Sequence, residues 1–526
     1  VSVLRGADGR WCLEHQGVPL VDPWALQVST ELPWCLTPTP WPAPQPVTVV
    51  RPWAEQVVYE LGVRAFTARH PLVAEQDRGT FRGLAHPAVV GHLVDLGVTA
   101  VELLPVAAWE TEPRLQRLGL SNWWGYNSVA WAAPEPALGT PRELARCVDV
   151  LHAAGIAVIL DVVLNHTSEG PDEDPVVRHW RHLAPGVYLR GPDGTLDNRT
   201  GCGNTVDLSH PLAARCALDA LRHWALAYGV DGFRFDLAPV AGPLLPDLAA
   251  DPVLSQRWLI AEPWDAAGGR LDFPEPWATW SGSARDAIRG FWLQESISAR
   301  QAMGAVLTSS RKEVCFVTCH DGFTLRDLTS YAHKHNEANG EDNRDGSDHN
   351  LSDNAGVEGP TQDPQVRQVR HDRQRALLAT LLLGPAVPML SMGDELGFTQ
   401  DGNNNGYCQP FEVDWSEPTH TAWIAELTQV RRELTLWRDE PAGPQDVRWL
   451  GLDGTEPGDW DGFGPLVAEL PGRALLVLNP LDRAAEVAVT AGWSVRLSSG
   501  TQPLGPRSVT VFVPGPDPHD SSQRCP

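Results

Sequence analysis

The chain has 526 residues, 42% hydrophobic and 20% charged, which is too apolar for a disordered polymer and long enough to bury a sizeable core. Asp plus Glu (66) exceed Lys plus Arg (41), and a formal charge of -25 repels nucleic-acid phosphates and anionic lipid alike. No stretch approaches the roughly 20 apolar residues of a membrane span, and VSVLRGADGR lacks the apolar segment of a secretion signal, so the chain reads as soluble and cytoplasmic.

Residues 1–50 are broken by Pro38, Pro40, Pro42, Pro44 and Pro46 and read as a shortened N-terminal β segment running into an extended linker. From Val57 onward, apolar runs alternate with helical periodicity, the mark of repeated βα units. Strands are predicted at 57–63, 99–106, 156–163, 231–238, 258–264, 313–320 and 387–392, with a weaker one near 280–285. Their near-continuous apolar character predicts an α/β fold, a (β/α)8 TIM barrel with inserted loops over 51–440. Between strands, Thr140, Pro141 and Glu143 form a helix-start signal and Gly155 a stop. Trp423, Leu427, Val430, Leu434 and Trp437 fall on one face of a last outer helix. Beyond Pro441, the short runs at 475–479, 485–489, 494–497 and 509–513 predict a small antiparallel β domain over 441–515, and 516–526 a disordered tail. Nine Cys without a C-x-x-C pair suggest neither a disulfide framework nor a zinc site.

A barrel of this kind carries its chemistry at the C-terminal ends of its strands, so the polar residues there matter most. Arg234 and Asp236, two apart in a strand, share a side, and the Arg would hold the Asp ionised. Glu262 follows an apolar strand and stands two residues before Trp264, a setting that would raise its pKa and suit a general acid. Asp161 with Asn165-His166, and His320-Asp321, end two further strands. Any one of these could be a helix cap or a solvated charge; all at one rim they match glycoside hydrolysis by paired carboxylates.

In this order DVVLNH (161–166), GFRFD (232–236), AEPWD (261–265) and CHD (319–321) resemble the four signature regions of the α-amylase family. YELGVRAFT (59–67), WGYN (124–127) and KHNEANGEDNRDG (334–346) resemble its isoamylase and glycogen-debranching branch. The resemblance implies a retaining hydrolase of α-1,6 branch linkages in glycogen or limit dextrins. Asp236 would be the nucleophile, Glu262 the acid/base, and Asp321 the residue that grips the distorted sugar. Arg234 would orient Asp236, His166 and His320 would bond hydroxyls, and Tyr126 would stack on the ring, with Asp161, Asn127 and Trp264 completing the substrate-binding set.

The implied partner is a branched α-glucan, with no nucleic acid and no membrane; a homo-oligomer is allowed for. No cofactor is expected. Several α-amylases hold calcium through a residue matching Asn165, but the rest of such a cage is not recognisable. An α-1,4 endo-amylase or a trehalose-releasing hydrolase would share the catalytic set, and the 334–346 run argues against both. A non-catalytic glucan-binding subunit would be expected to lack one of the three carboxylates. Members of the branch usually carry a complete N-terminal β-sandwich for which residues 1–50 are too few, implying a weak grip on long polymer.

Overall fold

A computed structural model of the protein describes every residue except 7, 50, 267, 295, 297, 311, 435–446, 458, 459, 461, 490, 491 and 516–526. The chain starts with a small antiparallel sheet of β1 (Ser2–Arg5), β2 (Trp11–His15) and β3 (Val18–Leu20). The proline-rich stretch after it is extended and lies on the barrel: the Trp41 indole donates to the Ala227 carbonyl at 3.0 Å and packs 5.0 Å from the Tyr228 ring.

The barrel begins with β4 (Val58–Leu61) and β5 (Ala100–Leu103), followed by an excursion in which β6 (Ala107–Trp109) pairs antiparallel with β7 (Ser128–Pro134). It continues through β8 (Ala157–Val162), β9 (Gly232–Phe235), β10 (Trp258–Ala261), β11 (Ala278–Trp280), β12 (Glu313–Phe316) and β13 (Val387–Ser391), closing parallel through β13 onto β4. Helices such as Pro141–Ala153, Pro211–Ala227 and Pro364–Leu383 surround it, and the expected capping box at Thr140 and Glu143 is formed. Alternation along the strands decides what enters the lumen. Val58, Ala100, Ile159 and Ile260 belong to the inner apolar cluster, and Tyr59, Val101 and Leu160 to the outer one. Period two then turns Glu60, Glu102, Asp161 and Glu262 inward, one rung nearer the mouth.

The weak strand expected near 280–285 lies instead at Ala278–Trp280. The Ser281 hydroxyl caps the helix Gly282–Leu293 by accepting from the Ala284 N–H, and Arg285 is therefore helical. The other predicted barrel strands ran too long at their C-terminal ends, because there the chain leaves the ladder to build the mouth. The helix Thr421–Glu433 buries Trp423, Leu427 and Val430; Trp437 lies outside the described residues, as do Cys525, the 440/441 boundary and the tail.

A five-stranded antiparallel sheet of β14 (Arg448–Leu450), β15 (Leu466–Leu470), β16 (Ala474–Asn479), β17 (Trp493–Ser498) and β18 (Ser508–Pro514) follows, in the order β14-β15-β16-β18-β17. The run at 485–489 is no strand: Ala485 N–H bonds Leu504 and Ala488 N–H bonds Leu452, so its backbone is shared between two segments and makes no ladder. Among the described residues no helix is long and apolar enough to cross a membrane.

Candidate active site

The site grows out of one register. Asp161 on β8 lies directly across from Arg234 on β9, and Asp236 and Glu262 are each the first residue past their strand. Arg234 is 1% exposed, and its guanidinium serves three carboxylates: Asp161 at 2.8 Å, Asp236 at 3.1 Å and Glu262 at 3.1 Å. The Trp280 ring closes its remaining face at 4.2 Å. Removing one member of such a buried ion group costs about 3–5 kcal/mol, because the charges left behind stay desolvated.

Each carboxylate has a further donor. The Asn165 amide bonds the Asp236 carboxylate at 2.7 Å and its carbonyl at 2.8 Å. Glu262 accepts the Leu237 backbone N–H at 2.8 Å. Leu237 is left-handed, with φ of 42°, a conformation that costs a non-glycine residue about 1–3 kcal/mol and here turns its N–H toward Glu262. Burial pushes the Glu262 carboxyl up to about 7; Arg234 opposes the rise and the Asp236 charge adds to it. Burial likewise lifts Asp161 to about 6 against the pull of Arg234.

The sequence assigned Arg234 to Asp236 alone and the shielding of Glu262 to Trp264. In the structure Arg234 touches both acids and opposes the rise at Glu262, so that rise comes from burial and from the neighbouring Asp236 charge. Trp264 is only half-buried, packed against the inner apolar cluster near the first turn of Gly282–Leu293.

On the opposite wall, His320 gives its Nδ1 to Glu60 Oε1 at 2.6 Å, while its backbone N–H bonds Glu60 Oε2 at 2.7 Å. That fixes the ring and leaves Nε2 for another partner. Burial alone would lower the His320 pKa, but the Glu60 charge and hydrogen bond raise it overall. The Tyr126 hydroxyl donates to Asp161, and its ring stacks on His320 with centroids 5.1 Å apart and planes at 20°, so one of its faces is already occupied. His166 bonds the Asn165 oxygen through Nδ1, and burial lowers its pKa, which favours the neutral ring. Asn127 sends its amide to the Glu110 carbonyl at 2.8 Å and braces the loop behind Tyr126. Asp321 is exposed, next to His320 in the loop after β12.

Glu60, Trp280 and the Leu237 N–H were not singled out from the sequence. Glu60 had a readable signal, a lone carboxylate in an apolar strand, the same that marked Asp161. The N–H of Leu237 had none, since its role depends on a backbone angle. Asn165, the calcium-linked position, spends its amide on Asp236 and its oxygen on His166. Among the described residues no group of three His, Cys, Asp or Glu side chains is placed to hold a metal ion.

A family model described as alpha amylase, catalytic domain, matches residues 66–174. The glycogen debranching enzyme of Serratia proteamaculans (strain 568) is 42% identical over 483 residues, covering 84% of this chain and 73% of that protein. The glycogen debranching enzyme of Klebsiella pneumoniae (strain 342) is 40% identical over 523 residues, covering 92% and 78%. Among solved structures, pullulanase from Anoxybacillus sp. LM18-11 complexed with maltotetraose superposes with a TM-score of 0.74 at 23% identity, over 97% of this chain and 82% of that one. Type I pullulanase from Bacillus subtilis str. 168 complexed with maltose gives 0.75 at 20% identity, over 98% and 80%. At that identity the two structures speak for the fold alone.

Proposed function

The chain belongs to the glycogen debranching enzymes of the α-amylase family, and from that premise we propose that it hydrolyses α-1,6 branch linkages of glycogen or a limit dextrin with retention of configuration. One observation carries the reading: a single buried guanidinium ties Asp236 and Glu262 together, while burial holds the Glu262 proton to about pH 7. Glu262 protonates the departing glycosidic oxygen as Asp236 attacks the anomeric carbon, giving a glycosyl-enzyme. Glu262, now ionised, then takes a proton from the incoming water, and a second inversion restores the α configuration. Arg234 and Asn165 keep Asp236 aimed, and the Leu237 N–H and Arg234 keep Glu262 from turning away. His320 Nε2, backed by Glu60, and Asp321 supply donors and acceptors for sugar hydroxyls on the other wall.

The test is incubation with glycogen and with a short branched dextrin, chain-length analysis of the oligosaccharides released, and proton NMR of the fresh product. Release of linear chains as α-anomers is expected. Shortening of linear chains with branch points intact overturns the linkage assignment, and a β-anomer appearing first overturns the nucleophilic role of Asp236.

A further inference from the structure

The 334–346 run supplied no residue to the site above, although it separated the readings of the sequence. Its asparagines face inward. Asn336, Asn339 and Asn404 are fully buried. Asn336 and Asn404 exchange two hydrogen bonds at 2.8 and 2.9 Å, Asn403 donates to Asn339 at 3.0 Å, and Asn339 donates to the Asn405 carbonyl at 2.8 Å. These amides join the loop after β12 to the loop after β13, and Asn336, Asn339 and Asn404 each spend both amide hydrogens within it. Gly340, with φ of 73°, sits so close to Leu118 that a Cβ there would come within 2.9 Å of it.

One side chain of the run, Glu341, reaches the helix Pro113–Arg117. Glu341 Oε1 accepts the Tyr407 hydroxyl at 2.7 Å and the Arg114 guanidinium at 2.8 Å, and Arg114 also bonds the Tyr407 hydroxyl, closing a triangle. Its corners come from three separate segments: the helix Pro113–Arg117, the loop after β12 and the turn Gly406–Cys408 after β13. Tyr407 is tied to the site in two ways. Its carbonyl accepts the Trp123 N–H at 2.7 Å, and its ring meets Trp124 at 6.1 Å. Trp124 in turn stands edge-on to His320 at 4.9 Å and lines, with Glu60, Cys319 and Met392, a small cleft at the barrel mouth.

We propose that Arg114, Glu341 and Tyr407 form a clamp that fixes Trp124 as a rigid wall beside His320 and makes the site selective for branched over linear glucan. The inference rests on the α-1,6 reading. An α-1,6 linkage has one more rotatable bond than an α-1,4 linkage, so a branched substrate loses more conformational freedom on binding and gains more from a wall already in place. The three residues act as positioning residues through Trp124.

The experiment measures kcat and KM on a short branched dextrin for Tyr407→Phe, Glu341→Ala, their double variant and Glu341→Gln, and for the same variants reads the Kd of linear maltotetraose by tryptophan fluorescence, which needs no cleavage. Tyr407→Phe removes one oxygen and leaves the ring, which keeps folding out of the comparison. For Tyr407→Phe and Glu341→Ala the expected result is a KM on branched dextrin raised about five- to tenfold with kcat within about twofold, and a smaller rise in the Kd of linear maltotetraose. The double variant should be no worse than the worse single, and Glu341→Gln, which keeps an acceptor, should recover most of the loss. Unchanged KM in both singles, an equal rise in the KM of branched dextrin and the Kd of maltotetraose, or fully additive losses overturn the clamp. If the wild-type chain leaves branched dextrin intact, the α-1,6 reading fails by itself; the clamp is then judged on maltotetraose, weaker binding in both singles supporting it and wild-type binding overturning it.

Discussion

On the β8 to β10 side of the barrel mouth one guanidinium holds three carboxylates, whereas on the β12 to β13 side the loops are joined by neutral amides. Both networks are buried and both fix geometry. The charged one also sets where protons reside, because each carboxylate raises the cost of ionising the next. The amide network carries one carboxylate, Asp345, bonded by Asn339 and Asn405, and otherwise exchanges neutral groups, so what it mainly sets is shape. A mechanism that needs one acid ionised and another protonated therefore keeps Arg234 and its three acids on one wall and the amide-joined loops on the other.

The largest expected effect comes from removing the proton donor on the charged wall. Glu262→Gln keeps the shape and the acceptor for the Leu237 N–H but supplies no proton, so kcat should fall about 10²- to 10⁴-fold with substrate binding nearly intact. Glu262 works as an acid only while protonated, and burial holds its pKa at about 7, so wild-type kcat/KM should fall as pH rises through about 7. That limb should be missing from the residual activity of the variant. A variant with wild-type turnover, or one that keeps the limb, would take the charged wall out of the chemistry.

The next effect places a charge where the structure has none. Asn404 donates its amide to the Ser347 carbonyl at 2.7 Å and to the Asn350 side-chain oxygen at 2.8 Å. In Asn404→Asp a carboxylate would face two acceptors in a fully buried position, costing about 1–3 kcal/mol or more of stability. Thermal unfolding should show the loss, and it should lessen as pH is lowered and the new acid is protonated. The pH limb set by Glu262 should stay in place. If that limb moved instead, with stability unchanged, the two walls would be coupled and the contrast between them would fail.

Much of this division could be read from the sequence. The charged wall was legible in part: period-two alternation put Arg234 and Asp236 on one side of a strand, and Asp161 and Glu262 stood out as lone acids in or just after apolar strands. Sharing of Arg234 among three acids was not legible, since it depends on how two neighbouring strands bring their ends together. The amide wall was visible as a run of asparagines, but its partners lie some 60 to 70 residues further on, and the sequence carries no sign of which amide meets which. The C-terminal sheet shows the same limit: the runs at 475–479 and 509–513 formed strands, whereas that at 485–489, equally alternating, lost its ladder to two competing partners.

The smallest effect sharpens the comparison from inside the charged wall. Glu102 faces the lumen on β5, in register with Glu60 on β4, and is 1% exposed. Among the described residues neither of its carboxyl oxygens has a hydrogen-bond partner. Burial drives its pKa well above the ordinary carboxyl range; Arg234 opposes the rise, and the Asp161 and Glu60 charges reinforce it. Glu102 thus favours its neutral form in the folded chain and leaves the charge of Arg234 to the three acids that contact it. In the unfolded chain the same group ionises above about pH 4.3. Above that value the unfolded state binds fewer protons than the folded one, so this residue lowers stability progressively as pH rises. Glu102→Gln removes the titration and keeps the shape. Its stability relative to wild type should therefore increase between pH 4.5 and 7.5, a Tm gain of roughly a degree or two in thermal unfolding, with kcat within about twofold and the Glu262 limb unmoved. If the limb shifted toward lower pH in the variant, Glu102 would be ionised in the folded protein, and Arg234 would be shared among four acids.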